Sequence, residues 1–298
     1  MLSYGQMKGY IDVLKKNGIA LENIFKWFFE IYLKDEFGAC GFVYNEPSEG
    51  AIYLEKILLL ISQIDSIVRQ YRFYVDDGLV DRKFLEFSTQ MYLLSDSPSM
   101  SMGKYVYPNS EKIKNVMSCL YSNQSMLAYT DSRRHKYKTL PELLINELIY
   151  LEDFPRHSQS SIQWLIENGY LYEDVNHRIC VNIEKAWILK DLFENGVISK
   201  SYYFGNLKLE LENMLCSGEL VLENTLFTRQ EQDYIDYMLN VQRFNNGPEI
   251  RNKYVHGTYP LDPQTQEQDY IELLKIMVLL IIKINEEFCL KDDFKRKN

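Results

Sequence analysis

Residues 264–291 read QTQEQDYIELLKIMVLLIIKINEEFCLK, and from Ile271 to Ile284 apolar side chains occupy nearly the whole helical circumference. A helix with so little polar face needs helices on every side, so the segment predicts the centre of a bundle. Upstream, LENIFKWFFEIYLKDEF (21–37) places Ile24, Trp27, Phe28, Ile31 and Tyr32 at helical spacing. AIYLEKILLLISQIDSIVRQYRFYV (51–75) repeats the period through Ile57, Ile61, Ile64, Val68 and Tyr71. Asp77-Gly78 ends that helix, and LVDRKFLEFSTQMYLL (79–94) is expected to begin another. With 23 Tyr and 15 Phe against 14 Gly and 8 Pro in 298 residues, the chain favours long elements and few turns, and the fold class is mainly α.

Between these helical ends the pattern changes. SDSPSMSMGKYVYPNS (95–110) reads as a loop, and TDSRRHKYKT (130–139) carries the dense positive cluster Arg133, Arg134, His135, Lys136 and Lys138. The stretch from 140 to 182 reads as a helix from Pro141, a turn at Phe154-Pro155, a second helix from Ser158, and a hairpin around Val175-Asn176. That is the outline of a winged helix-turn-helix. The second helix, SQSSIQWLIENG, has no Arg or Lys, which favours a structural or protein-contact module over a DNA reader. The expected organisation is a helical N-terminal region (1–138), a winged-helix-like segment (139–199) and a C-terminal helical bundle (200–298).

The formal net charge of −9 supplies no broad basic field for nucleic acid, so any RNA contact must be local. Five scattered cysteines without CxxC spacing predict neither a zinc site nor a disulfide framework, and a reducing cytoplasm is the expected compartment. The first residues lack the pattern of a signal peptide. The longest apolar run, Ile276 to Ile282, is far below the ~18 residues that span a bilayer, so no membrane association is expected. Nucleotide, zinc-protease, hydrolase and calcium motifs are missing, and no cofactor or metal is expected.

Of the four histidines, His135, His157 and His177 fall in polar loop or turn contexts. His256 closes NNGPEIRNKYVHGTYP (245–260), where Pro248 suits the first turn of a helix, Gly257 its left-handed end and Pro260 its exit. Asn252 and His256 are four residues apart and share a face, while Arg251 must reach around to join them. A permanent cation, an amide that can orient an imidazole, and an imidazole that titrates near neutrality are the parts needed to cleave RNA without a metal. The histidine exchanges protons with the ribose 2′-OH or the leaving 5′-oxygen, and the arginine stabilises charge on the phosphate. The structural counterpart is a helix C-cap, with His256 on the helix dipole and Arg251 paired to an acid.

Arg251-Asn252-x3-His256 resembles the R-N-x3-H form of the HEPN superfamily motif, found in prokaryotic toxins and abortive-infection and other anti-phage effectors. The layout after Thr228 is similar too, with the motif in a short helical segment and a long last helix behind it. The resemblance implies a metal-independent endoribonuclease with Arg251 and His256 catalytic and Asn252 supporting. It also implies a homodimer that brings both motifs into one cleft, and control by a cognate antitoxin or a sensor protein. RNA would be gripped by Lys253 and by Arg133, Arg134 and Lys136 of the basic loop. HEPN toxins paired with nucleotidyltransferase antitoxins carry a tyrosine two residues after the histidine; here that position is Thr258 and the tyrosine is Tyr259. Two other expectations stay open, a non-catalytic HEPN-like interaction or sensor module and a winged-helix DNA-binding regulator.

Overall fold

The computed structural model describes residues 3–81, 92–130, 136–240 and 243–297, with side chains to Asp292. The chain is mainly α and divides into two compact units, one formed by residues 1–102 with 224–298 and the other by 103–223. The division differs from the expected boundaries at 138/139 and 199/200. The first unit is assembled from both ends of the chain because the apolar last helix needs the N-terminal helices as neighbours, which sequence order does not reveal.

In chain order the helices of the N-terminal part are α1 (Tyr4–Lys16), α2 (Leu21–Trp27), a π-helical turn (Phe28–Tyr32), α3 (Leu33–Phe37) and α4 (Tyr53–Asp77). The middle unit holds β1 (Tyr105–Pro108), α5 (Glu111–Tyr121), α6 (Leu140–Asn146), α7 (Arg156–Glu167), β2 (Leu171–Glu173) and β3 (Ile179–Val181). It continues through α8 (Ile183–Asn195), β4 (Ile198–Ser199), α9 (Gly205–Cys216) and β5 (Leu220–Glu223). The chain then returns through α10 (Arg229–Leu239), α11 (Ile250–Val255) and α12 (Pro263–Lys297).

In the first unit α12 packs along α4, and the expected stripe Ile57, Ile61, Ile64, Val68 and Tyr71 is buried against it. Gly78 ends α4 in the left-handed conformation, as the Asp77-Gly78 pair predicts. The expected face of residues 21–37 holds at Phe28, which is buried, and at Ile24 and Tyr32, which are half-buried, and is corrected at Trp27 and Ile31, which are exposed while Phe25, Phe29 and Leu33 are buried. Four-residue spacing drifts about 40° per step on an α-helix. The wider π turn takes up that drift and keeps Leu21, Phe25, Phe29 and Leu33 aligned inward. An extended stretch beyond Gly38 then runs back along α4. Its backbone groups are satisfied by two buried amides, Gln70 bonding Val43 on both sides (2.7 and 3.0 Å) and Gln63 accepting from Asn45 (2.8 Å). Gly41 sits at φ 100° against the Val80 carbonyl, 2.5 Å from where a Cβ would lie, so only glycine fits that approach.

The middle unit has its own core, built around Val116, Leu143, Ile162, Ile179, Ile188 and Leu211. Helix, helix and hairpin follow one another as expected in α6, α7 and β2–β3. The helix α7 begins at Arg156, earlier than the expected Ser158, so Arg156 and His157 lie in its exposed first turn. The hairpin is joined by a three-stranded antiparallel sheet in the order β4-β1-β5. β1 lies inside the stretch expected to be loop, where Tyr105, Val106 and Tyr107 are all buried. None of the five cysteines is in a disulfide. Among the described residues, no helix is long and apolar enough to cross a membrane.

Candidate functional site

Helix α11 is short because both of its ends are fixed. Glu249 enters in the left-handed conformation (φ 52°), so the helix starts at Ile250 and the expected place for Pro248 in its first turn is corrected to the approach segment. At the other end Gly257 takes φ 73° and the Thr258 N–H donates to the Lys253 carbonyl at 2.9 Å, a Schellman closure around His256 as C-cap. Ile250 and Tyr254, four residues apart, form its buried face.

Each motif residue then has a defined place. Arg251 Nη2 donates to Asp65 Oδ2 of α4 at 3.0 Å, with the two side chains 22% and 35% exposed. The pair borders a narrow cleft of about 20 Å³, lined also by Ile61, Tyr92, Leu239, Asn240 and Leu273. Behind it Asn240 is buried and donates to Asp236 Oδ1 at 3.3 Å, and Asp236 also accepts from Ser95 at 3.0 Å. Tyr254 donates to Asp269 of α12 at 2.9 Å and lies in parallel contact with Tyr259, ring centres 5.4 Å apart. Burial pushes the Asp269 carboxyl up, opposed by the Tyr254 hydroxyl and by Lys253. Burial and the Asp269 carboxylate together raise the Tyr254 hydroxyl.

His256 is exposed, and no hydrogen bond joins its ring to Arg251 or Asn252. His256 lies five positions after Arg251, about 140° around an ideal helix and about 7.5 Å along it. The guanidinium therefore turns toward Asp65 of α4, while His256 is exposed at the end of α11 and does not line the cleft. Lys253 is half-buried in the last turn.

Of the expected RNA-gripping residues, Arg133 and Arg134 lie outside the described residues. Lys136 belongs to the middle unit, where its ammonium is held by Glu147 at 2.5 Å. Sequence patterning missed Asp65 and Asp269, which hold Arg251 and Tyr254 of α11, and Asn240, which lines the cleft beside Arg251. Asp65 had a signal: it lies one turn after Ile61 and borders the apolar stripe of α4.

Among the described residues no cluster of three His, Cys, Asp or Glu is placed to hold a metal ion. No family model matches the chain, and no curated protein or solved structure matches it at a significant level.

Proposed function

We propose that this protein is a metal-independent endoribonuclease of HEPN type, acting as a toxin or anti-phage effector. The observation that carries it is the division of labour on α11, an arginine anchored at a cleft and an exposed histidine at the helix end with no competing hydrogen bond. His256 would take the 2′-OH proton or return one to the 5′-oxygen, and Arg251 would neutralise the phosphate as charge builds on it. Asn252, sharing the side of His256, would orient the imidazole. One imidazole serves one of the two proton transfers, so a homodimer that pairs two His256 side chains would complete the site.

RNA incubated with the purified protein in EDTA is expected to be cut to 2′,3′-cyclic phosphate or 3′-phosphate ends with 5′-hydroxyls. A requirement for Mg²⁺ would remove the mechanism.

A second reading, a non-catalytic HEPN-like interaction module, is favoured by one observation: the Arg251–Asp65 ion pair and the His256 cap already give both residues structural uses. Asp65→Asn separates the two. A part-exposed pair is worth up to about 1 kcal/mol, so releasing Arg251 should raise kcat/KM by up to about fivefold if the guanidinium must leave Asp65 to meet phosphate. In an interaction module the same substitution only lowers the melting temperature, and no RNA is cut.

A further inference from the structure

Away from the motif, the first unit holds a larger cavity of about 130 Å³ between α1, the start of α2, the start of α4 and the first turns of α12. This is close to the ~150 Å³ known to admit a benzene-sized ring. Its apolar lining comes from Ile11, Leu21, Ile271 and Leu274, one residue or more from three separate elements. Two tyrosine rings, Tyr53 and Tyr270, complete the wall as a contacting pair, centres 6.0 Å apart and planes at 54°, which offers ring edges and faces to an aromatic guest beside it.

The charges around it are unequally occupied. Tyr270 donates its hydroxyl to Glu22. Glu267 accepts from Lys8 at 3.2 Å, and its carboxylate also faces Tyr53. Two of the three lining carboxylates are thus engaged, leaving exposed Asp12. Lys15 and Lys56 are also lining residues, and neither has a carboxylate partner among the described residues. Lys56 Nζ lies 5.9 Å from the centre of the Tyr270 ring, where the apolar wall meets the charged rim. Two ammonium groups without a carboxylate partner, beside a recess of mixed polarity with a ring-lined wall, present complementary ends to one kind of molecule.

We propose that this cavity binds a small aromatic anion, its ring against the wall formed by Tyr53, Tyr270 and Ile11 and its carboxylate or phosphate against Lys56 and Lys15. The proposal is independent of RNA cleavage, since it uses neither Arg251 nor His256.

Calorimetric titration of the full-length protein with benzoate and phenyl phosphate tests it, with benzyl alcohol and inorganic phosphate as the ring-only and anion-only controls. At least one aromatic anion should bind saturably, about tenfold or more tighter than both controls, and the tighter of the two identifies the anionic group. Lys56→Gln should weaken that binding by about tenfold, the scale of one charge-assisted contact, with little change in melting temperature because the side chain lies at the rim. Ile11→Trp, which fills the recess from a half-buried position, should abolish it. The proposal is overturned if neither aromatic anion binds, if inorganic phosphate or benzyl alcohol binds as tightly, or if the Lys56→Gln protein binds like the wild type.

Discussion

His256→Ala is expected to lower RNA cleavage by about 10²–10⁴-fold, the range a positioned general acid or base supplies. Stability should change by less than about 1 kcal/mol. The ring is exposed and the helix end is closed by backbone, through Gly257 and the Thr258-to-Lys253 hydrogen bond, so the imidazole adds only its interaction with the helix dipole. Initial rates on a fluorescent RNA, read beside melting curves, check both halves. Arg251→Ala should give a similar rate loss, and light scattering should find wild type and both variants as dimers. Cleavage that survives His256→Ala would end the catalytic assignment, and a clean monomer at micromolar concentration would remove the paired site. If no RNA is cut by the wild type while its expression still arrests growth, the interaction module takes its place.

What the sequence made legible follows from the range of its signals. Helical period is local, so the buried stripe Ile57 to Tyr71, the left-handed Gly78 and the hairpin at 171–181 were all readable from neighbouring residues. The short motif helix was readable for the same reason, from Gly257 and Pro260. Pro248 misled by two residues because Glu249 carries the chain through a left-handed turn, a conformation sequence offers little warning of. Trp27 and Ile31 of residues 21–37 were misplaced because a constant α-helical period hides a π turn. The partners of the motif were out of reach for another reason: Asp65 lies 186 residues before Arg251, and nothing in an unaligned sequence joins them. The sheet β4-β1-β5 was lost the same way, since its strands are two to four residues long and separated by helices.

The second large effect concerns the end of α12. Phe288 is 2% exposed, and its ring meets three aromatic neighbours from different parts of the first unit. These are Phe37 at 5.3 Å from the end of α3, Phe42 at 6.5 Å from the extended return, and Tyr74 at 5.0 Å near the end of α4. Lys291, one turn on, lies over Tyr74 at 5.1 Å. One side chain thus closes the contact between chain segments more than 200 residues apart, which the sequence alone could not pair. Phe288→Ala is expected to cost about 3–5 kcal/mol, combining the lost burial with a cavity that four rigid elements cannot close. Against a typical total of about 5–15 kcal/mol that is a large share, and urea unfolding followed by circular dichroism should show the midpoint fall accordingly. Ile31→Ala is the matched control: helical period alone would place Ile31 in the core, but the π turn leaves it half exposed, so its loss should stay below about 1 kcal/mol. Equal costs at the two positions would mean that residues 21–37 keep an unbroken α-helical phase and that the π turn does not exist in solution. A Phe288→Ala cost below about 1 kcal/mol would mean that α12 does not seat against α3 and α4, and the bundle that holds Asp65 opposite Arg251 would have to be rebuilt.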